Sequence, residues 1–271
     1  MKVNRKKWPM HIFAVTALIL LAGLGGWIAQ WSGRNMDTAM RERLLQQAVR
    51  IAQTLDPEQI KTLSFTEADR SNPVFQRIRA QMVAYGQILW QRGIYSMALR
   101  DGNIYFGPEN YAENDPMSSP PGTVYKQPDS DSFKVFHTGK PVTLGPQTDE
   151  YGTFVSALAP VLDPRDGAVL MVVGLDIQAD DWQARINTAR QGPVLSTVIL
   201  LTILIAGSMS ICWRDRLAIR RERFKHLETV WIGVCGLVLT IAIAMLAREI
   251  ERRAQDWIFN QEADSQIHEI S

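Results

Sequence analysis

Side chains suited to catalysis or to tight metal binding are scarce in these 271 residues, which include only two cysteines and four histidines. Both cysteines, Cys212 and Cys235, lie in long apolar runs, so the polar region at residues 32–192 contains neither a disulfide nor a thiolate metal site. The histidines lie on separate segments and cannot form one metal site or catalytic triad. They are His11, His137, His226 and His268.

Signatures of nucleotide chemistry are lacking as well. The chain has no glycine-rich phosphate loop and no GGDEF sequence of the kind found in cyclases. Its formal net charge of +1 gives no indication of a nucleic-acid partner. We therefore expect no catalytic module, no cofactor and no metal in these residues.

Apolar runs long enough to cross a membrane are present by contrast. Three are predicted as transmembrane helices, and the third, with 18 residues, only just suffices. Basic residues precede the first run and fill the 16-residue loop between the second and third, which places both in the cytoplasm beside anionic lipid. The predicted order is a cytoplasmic N-terminus (1–9), a first span (10–31), an extracytoplasmic domain (32–192), a second span (193–213), a cytoplasmic loop (214–229), a third span (230–247) and an extracytoplasmic helical tail (248–271).

A cleaved signal peptide is the alternative interpretation of the N-terminus, because a charged start followed by an apolar run is typical of both. The run is long for a signal peptide, and the residues from Gly25 to Trp31 form a poor cleavage site. We therefore favour an uncleaved anchor in the cytoplasmic membrane.

Helical spacing of apolar residues continues beyond the first span, which predicts an amphipathic stem helix. The residues that share this face are Met36, Met40, Leu44, Ala48, Ile51 and Leu55. Asp56-Pro57 and Asn72-Pro73 each predict a helix start, with a capping side chain before proline. A further helix is predicted at 179–190, ending at Gly192-Pro193.

The stem face at Met40, Leu44, Ala48 and Ile51 has two interpretations: the seam of a homodimer, or packing against the domain's own sheet. Under the first, a charge at Leu44 or Ala48 breaks dimers without unfolding the sheet.

Short apolar runs at 94–100, 103–106, 141–144, 153–162 and 168–177 predict five strands. Asp101-Gly102 predicts a tight type I′ hairpin between the first two strands, and residues 165–167 predict a junction between the last two. The last run is apolar at consecutive positions, which suits a central strand covered on both faces. Residues 107–135, rich in Pro, Ser, Asp and Asn, predict a long loop over the sheet.

The segments TDEYGTFVSALAPVLDPRDGAVLMVVGLDI and RGIYSMALRDGNIYFGPE resemble the sheet of extracytoplasmic PAS-like sensor domains of the Cache type. The resemblance covers roughly residues 35–190 and implies an α+β fold, in which a long N-terminal helix packs on a five-stranded antiparallel sheet. Such domains sit between two membrane helices in bacterial histidine kinases, diguanylate cyclases and chemoreceptors, and residues 32–192 lie in the same way between the first two of the three predicted transmembrane helices. More weakly, the tail AREIERRAQDWIFNQEADSQIHEIS resembles the first helix of a CHASE sensor domain.

The resemblance also implies a small-molecule site between the sheet and the overlying loop. The candidate ligand-binding residues are Tyr95, Arg100, Tyr105, Tyr111, Tyr125, Tyr151 and Asp176. Tyrosine suits polar or cationic ligands, and an aspartate suits an amine. Structural alternatives stay open: packing for Tyr95 and Tyr105, a turn position for Tyr151 and a helix cap for Asp176. The family's amino-acid-binding motif is not clearly reproduced.

These observations predict the membrane-bound input region of a receptor that binds an unknown small ligand, forms a homodimer and signals by helix displacement, most simply to a histidine kinase output beyond these residues. The alternatives are the input region of a diguanylate cyclase and a stand-alone membrane scaffold or regulator with a protein partner.

Overall fold

A computed structural model describes residues 8–89 and 93–216 of the chain. They divide into a folded unit, Arg34–Asn187, and a second unit made of the described residues on either side of it. The third predicted span, the tail and nearly all of the cytoplasmic loop lie outside the described residues, as do the first seven residues.

The folded unit is built on one antiparallel sheet of five strands in the order β2-β1-β5-β4-β3, which confirms the predicted α+β fold with a five-stranded antiparallel sheet. The strands are β1 (Gly93–Arg100), β2 (Asn103–Glu109), β3 (Val142–Asp149), β4 (Gly152–Leu162) and β5 (Val169–Gln178). The run predicted as central, β5, pairs with β1 on one side and β4 on the other. The predicted hairpin turn is confirmed by the positive φ angles of Asp101 (49°) and Gly102 (79°).

Five α-helices and one 3-10 helix (Glu67–Ser71) complete the described part of the chain. The α-helices are α1 (Trp8–Thr54), α2 (Pro57–Ile60), α3 (Pro73–Ile88), α4 (Ser132–Thr138) and α5 (Ala179–Arg216). The two predicted helix starts are confirmed. The Asp56 side chain accepts a hydrogen bond from the Glu58 amide, and the Asn72 side chain accepts one from Val74. In both cases proline takes the first helical position, where its missing N–H costs nothing.

The two edge strands extend further than the sequence predicted. β2 continues through Gly107-Pro108 to Glu109, and β3 continues through Gly145-Pro146 to Asp149. Both strands lie at an edge of the sheet, where proline's missing N–H faces no partner strand. The predicted loop at 107–135 therefore begins after Glu109, and it ends where α4 starts at Ser132.

Helices α1, α3 and the start of α5 cover one face of the sheet. Side chains from all three enter a buried core with alternate residues of β1, β4 and β5, among them Ile94, Val155 and Val173. Trp182 of α5 is 1% exposed in this core. The opposite face carries a separate cluster, built from Met97, Phe106, Leu158 and their neighbours.

The stem face lies in the helix-side core of its own chain. Leu44 is 1% exposed, Ala48 0% and Ile51 3%, so packing against the domain's own sheet, and not a dimer seam, accounts for these residues. The expectation that a charge at Leu44 or Ala48 would leave the sheet intact is therefore wrong, because the charge would be buried and unpaired.

The second unit contains the parts of α1 and α5 that are long and apolar enough to cross a membrane. These candidate spans fall within Val15–Thr54 and Ala179–Ser210, judged by length and composition alone. Large apolar side chains stay exposed on them, including Trp27 (63%) and Met209 (68%). Within this unit the two helices meet closely at Gly25, where an added Cβ would collide with Thr197.

The predicted helix end at Gly192-Pro193 is wrong. Helix α5 runs from Ala179 to Arg216 with Pro193 inside it. Proline removes one backbone hydrogen bond, and apolar helices accept that loss when local groups satisfy the backbone. The bond that Pro193 removes would have run to the carbonyl of Ala189, one turn earlier. The hydroxyls of Thr197 and Ser196 donate instead to the carbonyls of Pro193 (2.7 Å) and Gly192 (2.9 Å).

Candidate functional site

Aromatic rings gather on the sheet face that points away from the helices. Strand alternation places Tyr95 of β1 and Phe106 of β2 on this face, with ring centroids 5.8 Å apart. Tyr125, from the loop after β2, and Tyr151, from the turn before β4, pack on Phe106 at 5.3 and 5.7 Å. The ring of Tyr95 lies across β5 at Gly174, where an added Cβ would collide with it.

Asp176 of β5 lies beside this aromatic group. The Tyr95 hydroxyl donates to its carboxylate at 3.1 Å, and the Ser156 hydroxyl, opposite it on β4, donates as well. Burial raises the pKa of Asp176 to about 7, the two hydrogen bonds lower it, and the charge of Asp149 raises it further. Asp176 therefore carries an acidic proton that titrates near neutrality.

Asp149 holds the β3–β4 turn and one of the tyrosines together. One carboxylate oxygen accepts from the backbone amides of Tyr151 (2.8 Å) and Gly152 (3.1 Å). The other accepts from the Tyr125 hydroxyl at 2.5 Å. Burial, followed by this hydrogen bond, holds the pKa of Tyr125 well above its usual range, so its hydroxyl stays a donor.

A third carboxyl group, Glu109 at the end of β2, is 5% exposed. It accepts from the Ser118 hydroxyl at 2.7 Å and the Ser119 amide at 2.8 Å, and the Ser119 hydroxyl in turn donates to the Tyr151 hydroxyl at 2.8 Å. Burial raises the pKa of Glu109 to about 7, although both serine hydrogen bonds lower it. This series of hydrogen bonds connects the loop after β2 to the aromatic group.

A cavity lies between these groups on the β3 side of the sheet. It has room for about one water molecule, so a larger occupant requires its walls to move. Its lining combines hydroxyls, an amide and a carboxylate with apolar side chains, and none of the lining residues is basic. They are Tyr95, Met97, Tyr125, Ser132, Leu144, Gln147, Asp149, Phe154, Ser156 and Leu158.

Four of the seven predicted site residues are brought together here. Tyr95 and Tyr125 line the cavity, Asp176 is hydrogen-bonded to Tyr95, and Tyr151 packs against Phe106. Tyr151 also lies in the β3–β4 turn, and a turn position was the structural alternative for this residue. Asp176 is a strand residue whose hydrogen bonds go to side chains on β1 and β4, three residues before α5 begins.

The other three predicted residues lie elsewhere. The exposed guanidinium of Arg100 lies 5.5 Å from the ring centroid of Phe65. Tyr105 packs on the helix-side core, which was its structural alternative. Tyr111 lies over Gly93 and is not part of the cavity lining, while its backbone carbonyl accepts from Arg79 at 2.8 Å.

Sequence reasoning missed Asp149, Gln147, Ser156 and Glu109. The YG segment after Asp149 did signal a turn, and an aspartate two residues before such a tyrosine is a common turn-capping position. No local signal marks Glu109 or Gln147, because each reaches the site through an edge strand that continues past a Gly-Pro pair. Among the described residues, no group of three or more potential metal ligands is found.

No protein-family model and no curated protein matches this sequence. Solved structures of the sensory domain of the Campylobacter jejuni chemoreceptor Tlp3 do match it. These are ligand-binding sensor domains. The form with isoleucine bound is 12% identical with a TM-score of 0.40, over 68% of this chain and 68% of that one. The complex with L-valine is 11% identical at 0.41, over the same shares.

A further structure of the Tlp3 sensory domain is 12% identical with a TM-score of 0.43, over 64% of this chain and 67% of that one. The chain thus spans about two thirds of the length of these sensor domains. At such identities and TM-scores, what those domains bind says nothing about the residues of this cavity.

Proposed function

We propose that this chain is the membrane-bound input region of a signal-transduction receptor, and that its folded unit binds a small organic cation, such as an amine. The observation that carries the proposal is the cavity itself. Its wall includes two tyrosines and Asp149, the carboxylate of Asp176 adjoins it, and no basic side chain lines it.

Electrostatics favours a cation over an anion or a zwitterion. The charges of Asp149 and Asp176 repel each other, which contributes to the raised pKa of Asp176. A cation between them removes that repulsion, and aromatic ring faces attract it further. The carboxylate of a free amino acid would need a basic partner, and the described lining offers none.

The membrane setting rests on the exposed apolar sides of α1 and α5. Side chains such as Trp27, Trp31 and Met209, each more than half exposed, find an apolar environment in lipid. We propose a multi-pass protein of the cytoplasmic membrane, with the folded unit on the outer side and a histidine kinase or diguanylate cyclase output. The Cache resemblance of the strands supports this arrangement, in which the chain itself is not an enzyme.

The test is thermal unfolding of the full chain in detergent with amino acids, amines, carboxylates and nucleobases. We expect a saturable rise in Tm with one or more amines. Because Asp176 must lose its proton to bind a cation, affinity should rise about tenfold per pH unit up to about pH 7 and then level off.

Asp176→Asn should abolish this response, whereas Asp101→Asn, at an exposed turn position that asparagine also tolerates, should leave it unchanged. A response only to carboxylates, or an amine response that survives Asp176→Asn, would contradict the cation site. Silence across the panel would favour the scaffold alternative.

A further inference from the structure

Three side chains on the helix side of the sheet form a hydrogen-bonded group, which we call the clamp: Asp37 and Arg41 of α1 and Trp182 of α5. The indole N–H of Trp182 donates to Asp37 Oδ1 at 2.8 Å. Arg41 Nε donates to Asp37 Oδ2 at 2.9 Å. The Arg41 guanidinium also lies 5.6 Å from the centroid of the Trp182 ring. Helices α1 and α5 are therefore joined through one shared carboxylate.

The clamp also reaches the sheet. Arg41 Nη2 donates at 2.9 Å to the backbone carbonyl of Gly145 in β3, a residue 104 positions further along the chain. The fork of the guanidinium thus connects Asp37 and Gly145 at the same time, which a lysine cannot do with the same geometry.

Gly145 belongs to an irregularity in β3 that shapes the cavity. The register between β3 and β4 shifts between Leu144 and Gln147, and both of these residues line the cavity. Gly145 has a φ of 88°, and an added Cβ would collide with the carbonyl oxygen of Phe154 on β4. The backbone at this bulge is therefore tightly confined, with the cavity wall on either side of it along the strand.

We propose that Asp37, Arg41 and Trp182 couple the cavity to the two helices, so that a change in the β3 bulge on occupation of the cavity passes through Arg41 to α1 and α5. The inference deepens the proposed sensor function and rests on it. Hydrogen bonds with fixed donor geometry favour discrete arrangements over gradual deformation, which suits a two-state element. Asp37 and Trp182 act as positioning residues for Arg41.

The stem helix gives the discriminating readout. Helix α5 follows β5 after Gln178, so movement of β5 reaches it through the backbone whatever the clamp does. Helix α1 has no such backbone connection to a strand that lines the cavity, since α2 and α3 intervene before β1. A response of α1 that disappears when Arg41 is replaced therefore shows that the clamp transmits it.

The experiment attaches a cation inside the cavity without knowledge of the natural ligand. In the full chain, with both native cysteines replaced by serine, Gln147→Cys is treated with aminoethyl methanethiosulfonate, which forms a mixed disulfide and releases methanesulfinate. Hydrogen exchange of the backbone amides is then followed in residues 34–45 and in β3. We expect exchange in the stem segment to slow by about threefold or more on modification.

Arg41→Lys should remove the stem response while the response in β3 remains. The matched control is Arg43→Lys, an exposed arginine on the same helix, which should respond like the parent. If Arg41→Lys does not fold, Asp37→Asn provides the same comparison, because it weakens the anchor of Arg41 and leaves its contact with Gly145. An unresponsive stem in the parent, or a stem response in the clamp variant as large as that of the parent, would overturn the proposal. A stem response without any amine binding would instead reject the ligand class and leave the coupling intact.

Discussion

Replacing Asp176 by asparagine should stabilise the fold at alkaline pH and leave it unchanged in acid. The carboxyl holds its proton up to about pH 7 in the folded chain, against an ordinary pKa of 3.8. Between these two pH values the folded state binds more protons than the unfolded state, so the free energy of unfolding falls as pH rises and levels off above about pH 7. Because asparagine cannot ionise, the free energy of unfolding of the variant does not fall in this way as pH rises.

The size of the effect follows from the shift in pKa. The full difference between 3.8 and about 7 corresponds to about 4 kcal/mol as an upper limit. Asp176 is half-buried, and asparagine loses part of the bonding to Tyr95 and Ser156, so we expect about 2 kcal/mol at pH 8. For a unit of this size that raises Tm by about 4–8 °C.

The assay is thermal unfolding of the full chain in detergent, followed by near-ultraviolet circular dichroism at pH 4 and pH 8. Asp101→Asn is the control, because it removes an exposed aspartate charge and keeps the turn conformation. A gain in Tm of the same size at both pH values would mean that packing, and not the charge, explains the change. A loss of Tm at pH 8 would refute the reasoning outright.

Three further predictions concern the core, the bulge and the covering loop. Leu44→Asp should lower the free energy of unfolding by more than about 3 kcal/mol, whereas Gln46→Asp, exposed on the same helix, should change it little. If Leu44→Asp only dissociated a dimer and kept an intact fold, that result would contradict the prediction. Gly145→Ala should lower Tm more than Gly167→Ala does, because both glycines have positive φ but only the first lacks room for a Cβ; equal losses in thermal unfolding would argue against a confined bulge. Glu109→Gln should stabilise the chain at pH 8 and not at pH 4, since the pKa of Glu109 is raised to about 7, and an unchanged pH profile of Tm would show that this carboxyl does not titrate there.

The parts of the fold that the sequence predicts are those in which a single residue demands one conformation. Asp101-Gly102 needs two positive φ angles, and Asp56 and Asn72 precede prolines at helix starts. Consecutive apolar residues in β5 likewise require cover on both faces, and that strand is central.

The site is less predictable because it depends on which face each strand presents. Ile104 and Phe106 of β2 face the aromatic group, so strand alternation directs Tyr105 to the opposite, helix-covered face. The alternation of side chains along β2 can be read from the sequence, but the sequence does not indicate which face of the sheet carries the site. Asp149 and Gln147 were missed because their strand was expected to end at residue 144, before Gly145-Pro146.

The energy of the clamp lies in the range that binding of a small ligand can overcome. Separating α5 from the stem at the clamp breaks the hydrogen bond from Trp182 to the Asp37 carboxylate, and a hydrogen bond to a charged group is worth about 1.5–3 kcal/mol. Allosteric coupling between sites typically amounts to about 1–3 kcal/mol. To move the helices, a cation near Asp149 and Asp176 must bind the two arrangements with a difference in free energy of that size. A much stronger clamp would leave the helices fixed whatever the cavity holds, and a much weaker one would leave them independent of it.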